Sequence, residues 1–238
     1  MAKQRLDQTM VSRGILPSRS QAESYIKLAK VECNGQIVTK PGYLVDDSVT
    51  ITLKSTEQYV SRAGLKLASV AEALKLDFRD KLVLDVGSST GGFTDYALQH
   101  GATKVIAVEV GTNQLHPSLH DNPKIELHEQ TDVRNFQTTQ KIDIVVVDVS
   151  FISLREILPY ISQLMNHNTQ LIAMLKPQFE TGDQYKHKGV IKNDSMRRNI
   201  LKDFENWTQK LFKIVNKADS KVAGAKGNRE RFYLLKLL

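Results

Sequence analysis

Residues 82–98 read LVLDVGSSTGGFTDYAL. An apolar run closes on Asp85, a loop of glycine, serine and threonine follows, and a helical pattern begins near Phe93. A strand that turns into a helix through glycine is where many folds hold nucleotides, so the spacing in the loop decides which one. A dinucleotide loop needs Gly-x-Gly-x-x-Gly, but after Gly87 the middle glycine's place is taken by Ser89, and Gly92 follows. A P-loop needs lysine after its second glycine; Gly87, Gly92 and Thr94 keep that spacing, but Phe93 stands in the lysine's place. Both phosphate cradles fail at their key residue. A loop that comes close to a ligand without wrapping phosphates suits S-adenosylmethionine (SAM), which offers adenine, ribose and an amino-acid tail.

Outward from this loop the pattern alternates. Strands are expected at 82–86, 104–110, 125–128, 142–148, 170–175, 212–216 and 231–237, with helices near 92–100, 155–165 and 194–210. An amphipathic helix from Ser61 precedes them, turning Leu65, Leu67, Val70, Ala73 and Leu74 toward a core. Strands separated by helical patterns predict βαβ units and an α/β fold with a mostly parallel, seven-stranded sheet. The last two strands are joined by NKADSKVAGAKGNRE, which has no helical pattern and predicts an antiparallel hairpin on the sheet edge.

Residues 1–58 read as a separate small α+β module, with 59–238 as the main domain. SRSQAESYIKLAKVECNG starts a helix capped by Ser18 or Ser20, and Glu23 is expected to close a capping box with Ser20. Short β-type runs follow, with turns at Asn34-Gly35 and Pro41-Gly42. So few residues make only a marginal core, which predicts packing against a neighbour or a ligand.

The 238 residues contain one cysteine, Cys33, which excludes an internal disulfide and a cysteine-based metal cluster; no metal is expected. No run is long and apolar enough for a membrane span, and MAKQRLDQTM has no apolar signal core, so a cytoplasmic protein is expected. The net charge of +7 is unevenly spread: +3 over 1–54, −4 over 55–175 and +8 over 176–238. An acidic middle between basic flanks suits a polyanion held by the flanks, although lysine-rich solvated surface explains it as readily.

Acids gather at the expected carboxyl edge of the sheet, where α/β folds bind ligands. Asp85 and Glu109 close the first two strands, and a carboxylate at Glu109 can accept hydrogen bonds from both hydroxyls of a ribose. Asp132, after the third strand, could meet the adenine amino group, or merely begin a turn. Asp148 closes the fourth strand and Lys176 the fifth, a pair suited to moving a proton or to a plain structural ion pair. A lysine serves as a base only when burial or nearby cations favour its neutral form. Lys66 on the entry helix and Glu230 before the last strand complete a Lys-Asp-Lys-Glu order around one sheet edge.

With these residues in view, the chain resembles the hemolysin A (TlyA-like) family, an S4 RNA-binding domain joined to an FtsJ-like ribose 2′-O-methyltransferase. The resemblance runs the whole length. RLDQTMVSRGILPSRSQA and VECNGQIVTKPG carry it in the S4 part; SRAGLKL, LDVGSSTGGFTDYAL, VEVGTNQL, VVVDVSFISL, LKPQFE and NRERFY carry it in the other. It implies a Rossmann-like SAM-dependent methyltransferase sheet with its last strand antiparallel. It also implies a catalytic tetrad of Lys66, Asp148, Lys176 and Glu230. The SAM site falls on Asp85, Gly87, Ser88, Ser89, Gly91, Gly92, Phe93 and Thr94, with Glu109, Val110, Asp132 and Val133. Glu109 departs from relatives, which more often carry Asp there, and keeps the carboxylate.

The expected activity is SAM-dependent methylation of a ribose 2′-hydroxyl in ribosomal RNA, on rRNA or a ribosomal subunit, with no DNA partner. RNA is expected on Arg5, Arg13, Arg19, Ser20, Lys27 and Arg62, with Arg62 also coupling the two domains, and on a loop, GDQYKHKGVIKND, ordered over the substrate. Two other classes compete: a ribosome-assembly factor with little or no catalysis, and a membrane-active haemolysin. An intact tetrad argues against the first. The absence of any span or strongly amphipathic pore segment argues against stable insertion by the second.

Overall fold

The computed structural model describes residues 3–54, 58–181, 190, 191, 193–224 and 227–238. The N-terminal module contains β1 (Gln4–Arg5), α1 (Leu6–Ser12), α2 (Arg19–Lys27), β2 (Val31–Cys33), β3 (Gln36–Ile37), β4 (Leu44–Val45) and β5 (Ile51–Leu53). Strand β2 pairs antiparallel with both β3 and β5, and β1 with β4. Helix α2 is capped by Ser18, whose side chain accepts from the Gln21 amide at 3.2 Å. The capping box expected at Ser20 does not form, because Glu23 turns instead to Arg19 and Lys27 as ion-pair partners.

The main domain follows as α3 (Arg62–Leu74), β6 (Leu82–Val86), α4 (Gly92–Gln99), β7 (Lys104–Val108), β8 (Ile125–His128), β9 (Ile144–Val147), α5 (Leu154–Gln163), β10 (Gln170–Leu175), α6 (Asp194–Thr208), β11 (Phe212–Asp219) and β12 (Arg231–Leu237). Its seven strands lie in the order β11-β12-β10-β9-β6-β7-β8. All neighbours from β10 to β8 run parallel, and β12 runs antiparallel to both β10 and β11. The expected hairpin exists, but β12 inserts beside β10 and leaves β11 at the edge. Burial explains the order: Phe232, Tyr233, Leu234 and Leu235 of β12 are all buried, whereas β11 is mostly open to solvent. Doubly covered interior strands read as continuous apolar runs, and edge strands do not.

The chain moves outward from β6 to β7 and β8, then returns to lay β9 on the other side of β6. That reversal opens a crevice beyond the carboxyl ends of β6 and β9. Helix α3 buries Leu65, Leu67, Val70 and Leu74 as expected, while Ala73 lies exposed on its outer face. The marginal N-terminal core packs on a neighbour. Leu6, Tyr25 and Ile26 belong to one apolar cluster with Tyr59, Val70, Phe93 and Phe232.

Candidate active site

The Lys-Asp-Lys-Glu set resolves into two ion pairs at the carboxyl edge of the sheet. Asp148 follows β9 and Lys176 follows β10; Lys176 Nζ lies 2.6 Å from Asp148 Oδ1 and donates to Ser150 Oγ at 2.7 Å. Lys66 Nζ, from α3, lies 2.7 Å from Glu230 Oε2. Register joins the pairs: β10 sets Leu175 against Arg231 of β12, so the next step brings Lys176 level with Glu230.

Small residues let α3 approach closely enough for Lys66 to reach this edge. A Cβ on Gly92 would stand 2.3 Å from Ser61 Oγ and 2.7 Å from Ala63 Cβ, and one on Gly64 2.6 Å from Tyr59 Cβ. The first turns of α3 and α4 therefore meet backbone to backbone, and Gly92 is a packing residue.

At the carboxyl end of β6, Asp85 is fully buried, and its Oδ2 accepts from Thr94 Oγ1 at 2.7 Å. Burial pushes the Asp85 carboxyl up to about 7; the Thr94 hydrogen bond opposes this and the nearby Asp148 charge adds to it. Asp85 Oδ1 and Ser88 Oγ are buried without a hydrogen-bond partner. Gly87, at φ +78°, passes so close to the end of β9 that a Cβ would stand 2.9 Å from the Asp148 carbonyl oxygen. Glu109 is oriented by two amides: Ser89 N donates to its Oε2 at 2.9 Å and Gly111 N to its Oε1 at 2.8 Å. Gln114 Nε2 also donates to Oε1 at 3.5 Å, so Oε2 is the oxygen with acceptor capacity to spare.

A cavity of about 540 Å³ lies in front of this loop, lined in part by Gly87, Ser89, Glu109, Val110, Asp132, Val133 and Asp148. This size suits a small-molecule site. Asp132 caps the turn Val133–Asn135 and pairs with Arg134 at 2.6 Å, which together with its other bonds holds its carboxyl below the usual range. A row of strand-end carboxylates, with two buried oxygens left unpartnered behind the loop, fits a ligand that carries cationic groups and a ribose, as SAM does. Asp85, Ser88, Gly91, Gly92, Phe93 and Thr94 support the loop without lining the cavity. Phe93 departs furthest from its expected cofactor role: its ring is buried, 6.0 Å from that of Phe232.

The arginines expected on RNA have partners inside the module. Arg5 and Arg19 both pair with the buried Asp7 at 2.8 Å, and their bonds hold its carboxyl at about 2 against the upward push of burial. Arg13 donates to the carbonyls of Val49, Asp46 and Asp47. Lys27 is half-exposed beside Glu23 at 3.8 Å. Ser20 lines a cleft between the starts of α2 and α3. Arg62 bridges the two domains: it donates to Ser24 Oγ on α2 at 3.2 Å and to the Ala223 carbonyl. Most of the loop expected over the substrate, including Lys186 and Lys188, lies outside the described residues.

Sequence reasoning missed Ser150 and Phe151. Ser150 takes a hydrogen bond from Lys176, and Phe151 lines the cavity yet is 92% exposed, at φ +66°, with the Phe179 ring 5.2 Å away. The available signal was a bulky aromatic directly after Ser150 and three residues past Asp148, where a loop has no apolar core to fill.

Comparison with known proteins identifies both parts of the chain. Residues 59–237 match the family model of FtsJ-like methyltransferases, and residues 4–51 match that of the S4 domain. The 23S rRNA (cytidine-2′-O)-methyltransferase TlyA of Campylobacter jejuni is 44% identical over 80% of this chain and 75% of its own. Hemolysin A of Brachyspira hyodysenteriae is 38% identical over 95% of this chain and 97% of its own. A solved structure from Streptococcus thermophilus, of a protein given a hemolysin name, is 34% identical and covers all of this chain and 89% of its own, with a TM-score of 0.73. No helix among the described residues is long and apolar enough to cross a membrane. By both of its domains and by likeness along its whole length, the chain belongs to the hemolysin A (TlyA-like) family, in which an S4 domain is joined to an FtsJ-like methyltransferase.

Proposed function

We propose that this protein methylates the 2′-hydroxyl of a ribose in ribosomal RNA, with the cytidine named for its Campylobacter relative as the leading nucleotide. The observation that carries this reading is the Lys176–Asp148 pair, 2.6 Å apart on adjacent strand ends and beside the cavity that Asp148 lines. SAM, when bound, supplies an electrophilic methyl group. Glu109 is suited to its ribose, Asp132 to its adenine, and Asp85 with Ser88 to the cationic side of the ligand.

Lys176 in its neutral form receives the proton of the substrate O2′ and becomes the ammonium paired with Asp148, while Asp148 and Ser150 fix the direction in which its amine points. Lys66, balanced by Glu230, holds the same ribose from the α3 side. Alignment of hydroxyl and methyl supplies much of the acceleration in such a displacement. The exposed face of Phe151 offers a stacking surface for the base of a nucleotide drawn out of its helix. RNA approaches from the S4 side, where Arg5, Arg19 and Lys27 remain half-exposed.

The test is transfer of radiolabelled methyl from SAM to ribosomal subunits of an unmethylated host, wild type against Lys176→Ala. Label in RNA only with the wild type, at an alkali-resistant linkage, is the expected result. SAM binding with no transfer to any ribosomal particle would overturn the substrate.

A further inference from the structure

Glu230 lies under a turn that is tied to the rest of the protein by a buried asparagine. A Cβ on Gly224 would stand 2.3 Å from Glu230 Oε1, so the turn closes directly over the carboxylate. The closure has its own bonds: Ser220 N donates to the Glu230 carbonyl at 3.0 Å, and Gly224 N to the Asn228 carbonyl at 2.8 Å. Asn228 is 2% exposed, and its side-chain Oδ1 accepts from the Ile191 amide at 3.0 Å, on the chain entering α6. Arg197 of α6 reinforces the tie, donating to the Arg229 carbonyl at 3.2 Å and pairing with Asp219 at 2.7 Å.

We propose that Asn228 is a positioning residue for the Glu230–Lys66 pair, registering the turn over Glu230 on the chain that enters α6. Its backbone carbonyl shapes the turn and its amide oxygen anchors it. Any residue offers the backbone carbonyl, but the short asparagine side chain adds the amide oxygen, and an apolar residue here would leave the Ile191 amide without its acceptor. Without the anchor, the turn can shift and carry the Glu230 carboxylate away from Lys66. The cavity that would hold SAM is lined by other residues, so cofactor binding is left untouched. This inference rests on the reading of Lys66 and Glu230 as part of the methyl-transfer site.

The test compares wild type, Asn228→Ala, Ile191→Pro and the double variant, with activity counted per SAM-binding site. Asn228→Ala and Ile191→Pro remove the acceptor and the donor of one hydrogen bond from opposite sides. Each is expected to lower kcat about ten- to a hundredfold, with SAM affinity unchanged. The double variant is expected to fall no further than the worse single one, because both act through the same bond. Multiplying effects, or an unchanged kcat, would overturn the proposal. Should Asn228→Ala fail to fold, Ile191→Pro carries the same test. Amide exchange without substrate separates this proposal from the functional one. Faster exchange at Ser220 and Gly224 in both variants is expected even if no RNA substrate is found, and unchanged exchange there would overturn it.

Discussion

Lys66 and Glu230, from opposite ends of the methyltransferase domain, form an ion pair at 2.7 Å with side chains 11% and 2% exposed. A pair so closed off from water is costly to break from one side, because the remaining charge keeps its burial and loses its partner. Lys66→Ala is therefore expected to lose about 3–5 kcal/mol of stability in urea unfolding. Lys66→Met combined with Glu230→Gln should recover most of that and none of the methyl transfer. Equal stability of wild type and Lys66→Ala would show that the pair is hydrated in solution.

Lys176 is distinguished from a mere positive charge by Lys176→Arg. Arginine keeps the cation beside Asp148 but does not give up or take a proton under working conditions. Both Lys176→Arg and Lys176→Ala are expected to lower single-turnover methyl transfer about 10²–10⁴-fold. Near-normal turnover by the arginine variant would reduce the lysine's role to charge stabilisation.

Asp85 predicts a pH effect of definite sign. Its folded-state value of about 7 lies above the ordinary carboxylate, so between roughly pH 4 and 7 the folded protein binds the extra proton. Stability should fall as pH rises through that window, by at most about 4 kcal/mol, and Asp85→Asn should flatten the slope. SAM is cationic and favours the ionised carboxylate, so its affinity should rise across the same window. Calorimetry in buffers of different ionisation heat should detect proton release on binding.

Phe151 is open to solvent and sits at φ +66°, a conformation that a bulky side chain adopts only at a cost. Phe151→Ala is expected to lower kcat/KM for RNA about ten- to a hundredfold through lost base stacking, leaving the melting temperature in place. Phe151→Tyr should keep most of the activity. Unaltered kinetics in Phe151→Ala would assign the ring to another surface.

The sheet and the site were legible to different depths. Strand-end acids announced themselves because Asp85 and Asp148 each close an apolar run where a strand interior would carry another apolar residue. The place of β12 was not legible, because neighbours in a sheet depend on which strand is covered on both faces, and chain order does not carry that. The pairing of Arg5 and Arg19 with a buried Asp7 was not legible either, because burial of Asp7 depends on the packing of the module. Phe93 occupies a loop-to-helix position in sequence, but its ring turns inward to Phe232, a partner far along the chain. The place of β12 and the Phe93–Phe232 contact rest on partners far apart in sequence, where local pattern has no purchase.

The apolar cluster that joins Leu6 and Tyr25 to Val70 and Phe232 has a mechanical consequence, strengthened by the Arg62 bridge. A module seated on the same core as the sheet is held by packing as well as by chain connection, so the two halves behave as a set square. Under the proposed function, the RNA element gripped by one arm and the ribose presented to the other stand at a constant offset. An enzyme built this way would choose its nucleotide by distance and direction from a gripped landmark, and the bases around the target would need to carry little of the address.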